Sequence, residues 1–169
     1  MLRTAIFVLV SLAISPTKPI LAYEIACLSE AETYYHDISG ILRCCERVGV
    51  MDLGDAEAQP LIAALTWFDN LQSLVIEDSS LRSIPGTIMN LGNLVALYIR
   101  NNPHLCEIPQ TLIELKYLKI LALTENQALA TLPTNFSGFK LDVLDLRYNH
   151  DDLDLPKPAN VSEFYLRVD

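Results

Sequence analysis

The stretch "IRNNPHLCEIPQTLIELKYLKILALTENQALATLP", Ile99 to Pro133, decides how this chain folds. It states one pattern twice: an apolar residue, two others, an Asn, then a Leu and an Ile-Pro or Leu-Pro pair. The same frame extends outward in both directions. Leu74, Leu97, Leu121 and Leu144 are separated by 23, 24 and 23 residues. Each sits in one setting: Leu71-x-x-Leu74-x-Ile76-x-x-Ser79, Leu94-x-x-Leu97-x-Ile99-x-x-Asn102, Leu118-x-x-Leu121-x-Leu123-x-x-Asn126 and Leu141-x-x-Leu144-x-Leu146-x-x-Asn149. Behind these come Leu81-x-x-Ile84-Pro85, Leu105-x-x-Ile108-Pro109, Leu129-x-x-Leu132-Pro133 and Leu153-x-Leu155-Pro156.

A fixed period of this length marks stacked coils rather than a globular core. The alternating apolar pair, such as Leu97 and Ile99, belongs to a short strand with one face inward. The Asn that closes the frame can bond the open backbone of the following turn. The Pro ends extended structure, and the spaced apolar residues after it suit a short helical convex segment. One coil cannot bury its own apolar side, so stability comes from its neighbours. Weaker copies flank the clear ones at Val48-Gly49-Val50 and at Val161-x-x-Phe164-x-Leu166, which gives about six strands. Pro60 to Phe68 reads as a helix, with Leu61, Leu65 and Phe68 on one face.

This L-x-x-L-x-L-x-x-N frame resembles that of secreted members of the leucine-rich-repeat superfamily, with their typical repeats of about 23–24 residues, over at least Leu71 to Pro156. The resemblance implies an α/β fold: a right-handed solenoid with a concave parallel sheet and a small N-terminal helical cap. The repeat domain is expected over 48–169, with its clear copies in 71–156, and the cap over 23–47. In the cap, Ser29-x-x-Glu32 is a capping box that opens a short helix through Tyr34 and Tyr35. Extracellular relatives commonly close with a cysteine-bearing C-terminal cap, and the last stretch here has none. An edge strand there invites pairing with another chain unless Arg167 and Asp169 protect it.

The first 22 residues differ from the rest. A basic start at Arg3, an uncharged apolar run from Thr4 to Ile14 and a segment ending in Ala22 follow the order of a secretory signal peptide. The run is short for a membrane span, which needs roughly 20 residues; an uncleaved anchor is the rival reading. Two of the 12 basic residues precede Tyr23 and none of the 21 acidic ones does, so the processed chain has 10 basic against 21 acidic residues, a net charge of −11. Such a chain is repelled by phosphate backbones and by anionic membrane surfaces, which argues against both as partners.

Four cysteines follow Ala22: Cys27, Cys44, Cys45 and Cys106. On a secretory route they are disulfide candidates with three pairings open. Cys27 with Cys44 or Cys45 is favoured because it closes a short loop; buried free thiols are the alternative. Asn135-Phe136-Ser137 and Asn160-Val161-Ser162 are N-glycosylation sequons. His36, His104 and His150 share no ligand spacing, and the cluster His150-Asp151-Asp152-x-Asp154 lacks the order and glycine of a calcium loop. No nucleophile elbow occurs. Neither a cofactor, a metal nor a catalytic site is expected.

The residues that do not repeat are the ones free to carry function. Positions within and just after each strand form columns on the open face: Gly49, Val75, Tyr98, Ala122, Asp145, Tyr165; then Met51, Glu77, Arg100, Thr124, Arg147, Arg167; then Asp52, Asp78, Asn101, Glu125, Tyr148, Val168. Tyr and Arg most often carry interface energy. Tyr98, Arg100, Asn101, Glu125, Asp145, Arg147, Tyr148 and Tyr165 are therefore the expected partner-binding residues. The alternative is an ordinary solvated sheet, with Arg100 and Arg147 paired to Glu125 and Asp145. Recognition of a protein, or of a glycan, is the expected function, with host–microbe recognition or inhibition of a secreted hydrolase as specifics implied by the resemblance. Assembly through the C-terminal edge strand is the other class.

Overall fold

The computed structural model describes residues 6–9, 24–27, 47–51, 53–151, 153 and 161–165. Eight strands form one sheet in sequence order: β1 Ile6–Leu9, β2 Glu24–Cys27, β3 Arg47–Met51, β4 Ser73–Glu77, β5 Ala96–Arg100, β6 Ile120–Thr124, β7 Val143–Asp145 and β8 Glu163–Tyr165. The six strands β3 to β8 pair in parallel, each with the next, as the six repeat frames require. The chain is an α/β leucine-rich-repeat solenoid in architecture. The capping box at Ser29, Cys44, Cys45, Asn160, Arg167 and Val168 lie outside the described residues.

Register follows the sequence frame one residue for one: Leu74 pairs with Leu97, Leu97 with Leu121, Leu121 with Leu144, and Leu144 with Phe164. The inward Leu and Ile of each strand are fully buried, and they merge into a single core with Leu81, Leu105, Leu129 and the residues of the convex side. Each clear coil turns at its Pro. The carbonyls of Pro85, Pro109 and Pro133 accept the N–H groups of Ile88, Leu112 and Phe136 at 3.0, 3.1 and 2.9 Å. Pro has no N–H to leave unpaired, and its fixed φ suits the entry to a helical turn. Short 3-10 helices follow at Gly86–Asn90, Gln110–Glu114 and Phe136–Gly138. The first coil instead carries a true helix, α1, at Asp55–Leu65. It starts five residues before the expected Pro60, because Pro60 falls inside it, and Phe68 is buried just beyond its end.

The closing residues of the frames form a ladder along the solenoid. Asn102 Oδ1 accepts the N–H of Ser79 at 3.1 Å, Asn126 Oδ1 that of Asn102 at 3.2 Å, and Asn149 Oδ1 that of Asn126 at 2.9 Å. Each amide nitrogen also donates to a carbonyl of the preceding coil: Asn102 to Ile76, Asn126 to Ile99, Asn149 to Leu123. The side chains thus reach back one coil as well as bracing their own turn. Ser79 ends the ladder by accepting the N–H of Leu53 and donating to the Glu77 carbonyl. To aim these groups, the preceding residue adopts a left-handed backbone in all four coils: Asp78 at φ 50°, Asn101 at 49°, Glu125 at 60° and Tyr148 at 60°.

The N-terminal strands run differently. β1 and β2 pair antiparallel, and so do β2 and β3, which places Ile6–Leu9 beyond β2 at that end of the sheet. No helix among the described residues is long and apolar enough to cross a membrane.

Candidate functional site

The open face of the parallel sheet is built by residues that alternate with the buried pair. Val75, Tyr98, Ala122, Asp145 and Tyr165 are in register across β4 to β8, and Glu77, Arg100 and Thr124 across β4 to β6. All eight expected partner-binding residues lie on this face or along its rim. Asn101, Glu125 and Tyr148 form the rim, set there by the left-handed backbone. Ala122 and Thr124 are only 5% and 7% exposed although they face outward. Bulkier neighbours cover them, so the middle of the face is filled and flat.

Two arginines use this face in different ways. Arg147 is held by Asp145 in a two-pronged ion pair, Nε to Oδ1 at 2.8 Å and Nη2 to Oδ2 at 2.6 Å. That hydrogen bond, and then the Asp145 charge, raise its pKa above the ordinary value. The same guanidinium lies 5.2 Å from the centre of the Tyr165 ring, so the pair ties β7 to β8. Arg100 lies over Tyr98, its own strand neighbour, at 4.7 Å. The pairing of Arg147 with Asp145 follows the solvated-sheet expectation. The pairing of Arg100 with Glu125 does not, because Arg100 stacks on the ring instead. On the rim, Asn101 donates to Asp78 at 2.6 Å.

A column that the sequence reading omitted is also here. Ser73, Ala96, Ile120, Val143 and Glu163 sit in register one step before the inward Leu. Ile120 and Val143 are half-buried, and they add an apolar strip to the face. Strict alternation through Ile120, Ala122 and Thr124 was the signal that could have found them.

Other expected sites fare unevenly. Cys106, a disulfide candidate, is a free and exposed thiol whose sulfur contacts the Arg82 carbonyl at 3.5 Å, which corrects that expectation. It lies on the ascending turn after Leu105, where no described cysteine stands beside it. Asn135 sits on the convex side at the start of the third 3-10 helix, its amide donating to the Gln110 carbonyl at 3.0 Å. An open hollow of about 380 Å³ lies beside the rim, lined by Asp78, Ser79, Ser80, Asn101, Pro103 and His104. Among the described residues no three His, Cys, Asp or Glu side chains gather as a metal site.

Comparison with known proteins points the same way. No family model matches the chain. It is 36% identical over 88 residues to Toll-like receptor 3 of Mus musculus, an alignment that takes in 48% of this chain. The chain spans about a tenth of that relative's length. Among solved structures it is similar to the leucine-rich repeat domain of the type III effector XopL, with a TM-score of 0.59 and 23% identity. That likeness covers 79% of this chain and 48% of the other, and it concerns the fold.

Proposed function

Because the chain is a leucine-rich-repeat solenoid, we propose that it recognises a protein partner through the open face of its parallel sheet, and that it does so outside the cell. One observation carries the reading. Residues that differ from coil to coil, rich in Tyr and Arg, gather on a single flat face while the repeating residues are all buried. A filled face without a deep cleft suits a protein surface better than a small ligand, which takes concave pockets. Binding rather than catalysis follows from the same residues, since no nucleophile and base are aligned on them. The leader-like first 22 residues support the secretory route, and a glycan on Asn135 would sit away from the open face. The receptor and effector among its relatives favour host–microbe recognition over inhibition of a hydrolase or binding of a glycan.

The test is capture from extracellular fluid by the purified secreted chain, beside a Tyr98→Ala, Arg100→Ala double variant of equal thermal stability. Loss of a specific protein band with the variant is expected. Equal capture by both would remove the open face as the site. A second reading, assembly, rests on Phe164. It occupies the inward position of β8 but is 42% exposed, where its counterpart Leu144 is fully buried. A concentration-dependent oligomer broken by Phe164→Asp would establish it.

A further inference from the structure

The two arginine–tyrosine units of the open face differ in one respect. Arg147 already has a carboxylate on both prongs of its guanidinium, and its remaining surface leans on Tyr165. Arg100 is exposed and rests one face on Tyr98, while no salt bridge among the described residues involves it. Its planar fork of donors faces outward, the geometry that binds a carboxylate at two points.

The surroundings restrict what can approach. Glu77 is the register partner of Arg100 on β4, and Glu125 stands on the rim beside β6. These two acids disfavour a dense run of negative charge and leave room for one. On the β6 and β7 side the half-buried Ile120 and Val143 offer apolar surface. They lie four residues back along the strand direction from Arg100, as the register of Ala96 with Ile120 and Val143 shows. At ~3.3 Å per residue this is about 13 Å, or four residues of an extended peptide on one of its faces.

We infer that Arg100 is the residue that reads the partner, and that it takes a single Asp or Glu of an extended segment whose apolar side chain, four residues away, rests on Ile120 and Val143. Arg147 is a positioning residue that holds Tyr165 and reads no charge. This rests on the open face being the binding surface, and it names the chemistry of the segment.

The test pans a phage-displayed library of random linear 12-residue peptides against the full chain, against Arg100→Glu and against Val143→Asp. Circular dichroism and melting of each variant serve as folding controls. Enriched peptides should carry one acid spaced about four residues from an apolar residue. They should bind Arg100→Glu roughly ten- to a hundredfold more weakly, the loss of a charge-assisted pair, and panning on that variant should select Lys or Arg in place of the acid. Peptides lost on Val143→Asp but lacking the acid would overturn the role of Arg100 and keep the open face. Peptides that bind all three proteins equally would overturn the open face itself. No enrichment on the parent chain would overturn the proposed segment.

Discussion

Replacing Asn126 by Ala should be among the most damaging single changes in the molecule. Asn126 is fully buried. Its Oδ1 is the acceptor for the Asn102 N–H at 3.2 Å and also receives the Asn102 amide at 3.3 Å. Its Nδ2 is the donor to the Ile99 carbonyl at 3.0 Å. The Ala variant strands one backbone N–H and one backbone C=O in the interior. Each stranded group costs about 1–3 kcal/mol, so the variant should lose roughly 2–6 kcal/mol. Asn102 keeps its bonds to the Ile76 and Arg100 carbonyls, which holds the loss from spreading further up the ladder. Asn149→Ala removes the same kinds of bond, but Asn149 is only half-buried and water can replace part of them, so its loss should be clearly smaller. Asn126→Ser should fall between, because Ser79 already fills this position in its own coil with a hydroxyl that both accepts and donates. Urea unfolding followed by circular dichroism measures all three. The reasoning fails if Asn126→Ala lies within about 0.5 kcal/mol of the parent, the range of an ordinary surface change, or if Asn149→Ala costs as much.

Two more outcomes follow from local geometry. Glu125 and Tyr148 hold φ of 60° with side chains that disfavour it, whereas Asp78 and Asn101 are residue types that tolerate it. Glu125→Asn or Tyr148→Asn should therefore stabilise by about 0.5–1 kcal/mol, part of the usual left-handed penalty, seen as a rise of a few degrees in melting temperature, while Asp78→Asn changes it little. Phe136 is fully buried and packs edge-on to Phe139 at 5.1 Å, so Phe136→Ala should cost about 3–5 kcal/mol. Phe164→Ala, at a half-open site, should cost well under half of that; equal losses by denaturant titration would mean that Phe164 is covered in solution.

The buried half of this fold was legible because it repeats. Leu97, Leu121 and Leu144 occur at a constant interval, and the structure stacks them at that interval. The open face was legible by residue but not by contact. Alternation tells which way Arg100 and Arg147 point, and it placed both correctly. It cannot tell that Asp145 grips Arg147 while Arg100 turns to Tyr98, since that choice depends on rotamers of long side chains in partial solvent. The strip of Ile120 and Val143 was overlooked for a simpler reason: the reading began each strand at the inward Leu, one residue late. The early start of α1 was hidden because a proline inside a helix reads as its beginning.

The division between what repeats and what does not has an energetic consequence. Asn102, Asn126 and the leucines satisfy backbone groups and fill the core on the inner side of each strand. Tyr98, Arg100, Ile120 and Val143 project from the outer side of the same strands, where solvent reaches them. A change in the first set propagates to the adjacent coil because its partners are there. A change in the second set removes contacts that are half-hydrated already, and its effect on folding stays near the scale of surface substitutions, about ±0.5 kcal/mol. The open face can therefore alter its chemistry coil by coil with little effect on the scaffold. Arg147 is the exception within it: its pairing with Asp145 on β7 and its stacking on Tyr165 of β8 make it part of the joint between the last two coils. Of the two arginines, only Arg100 combines an exposed fork of donors with a scaffold that does not depend on it.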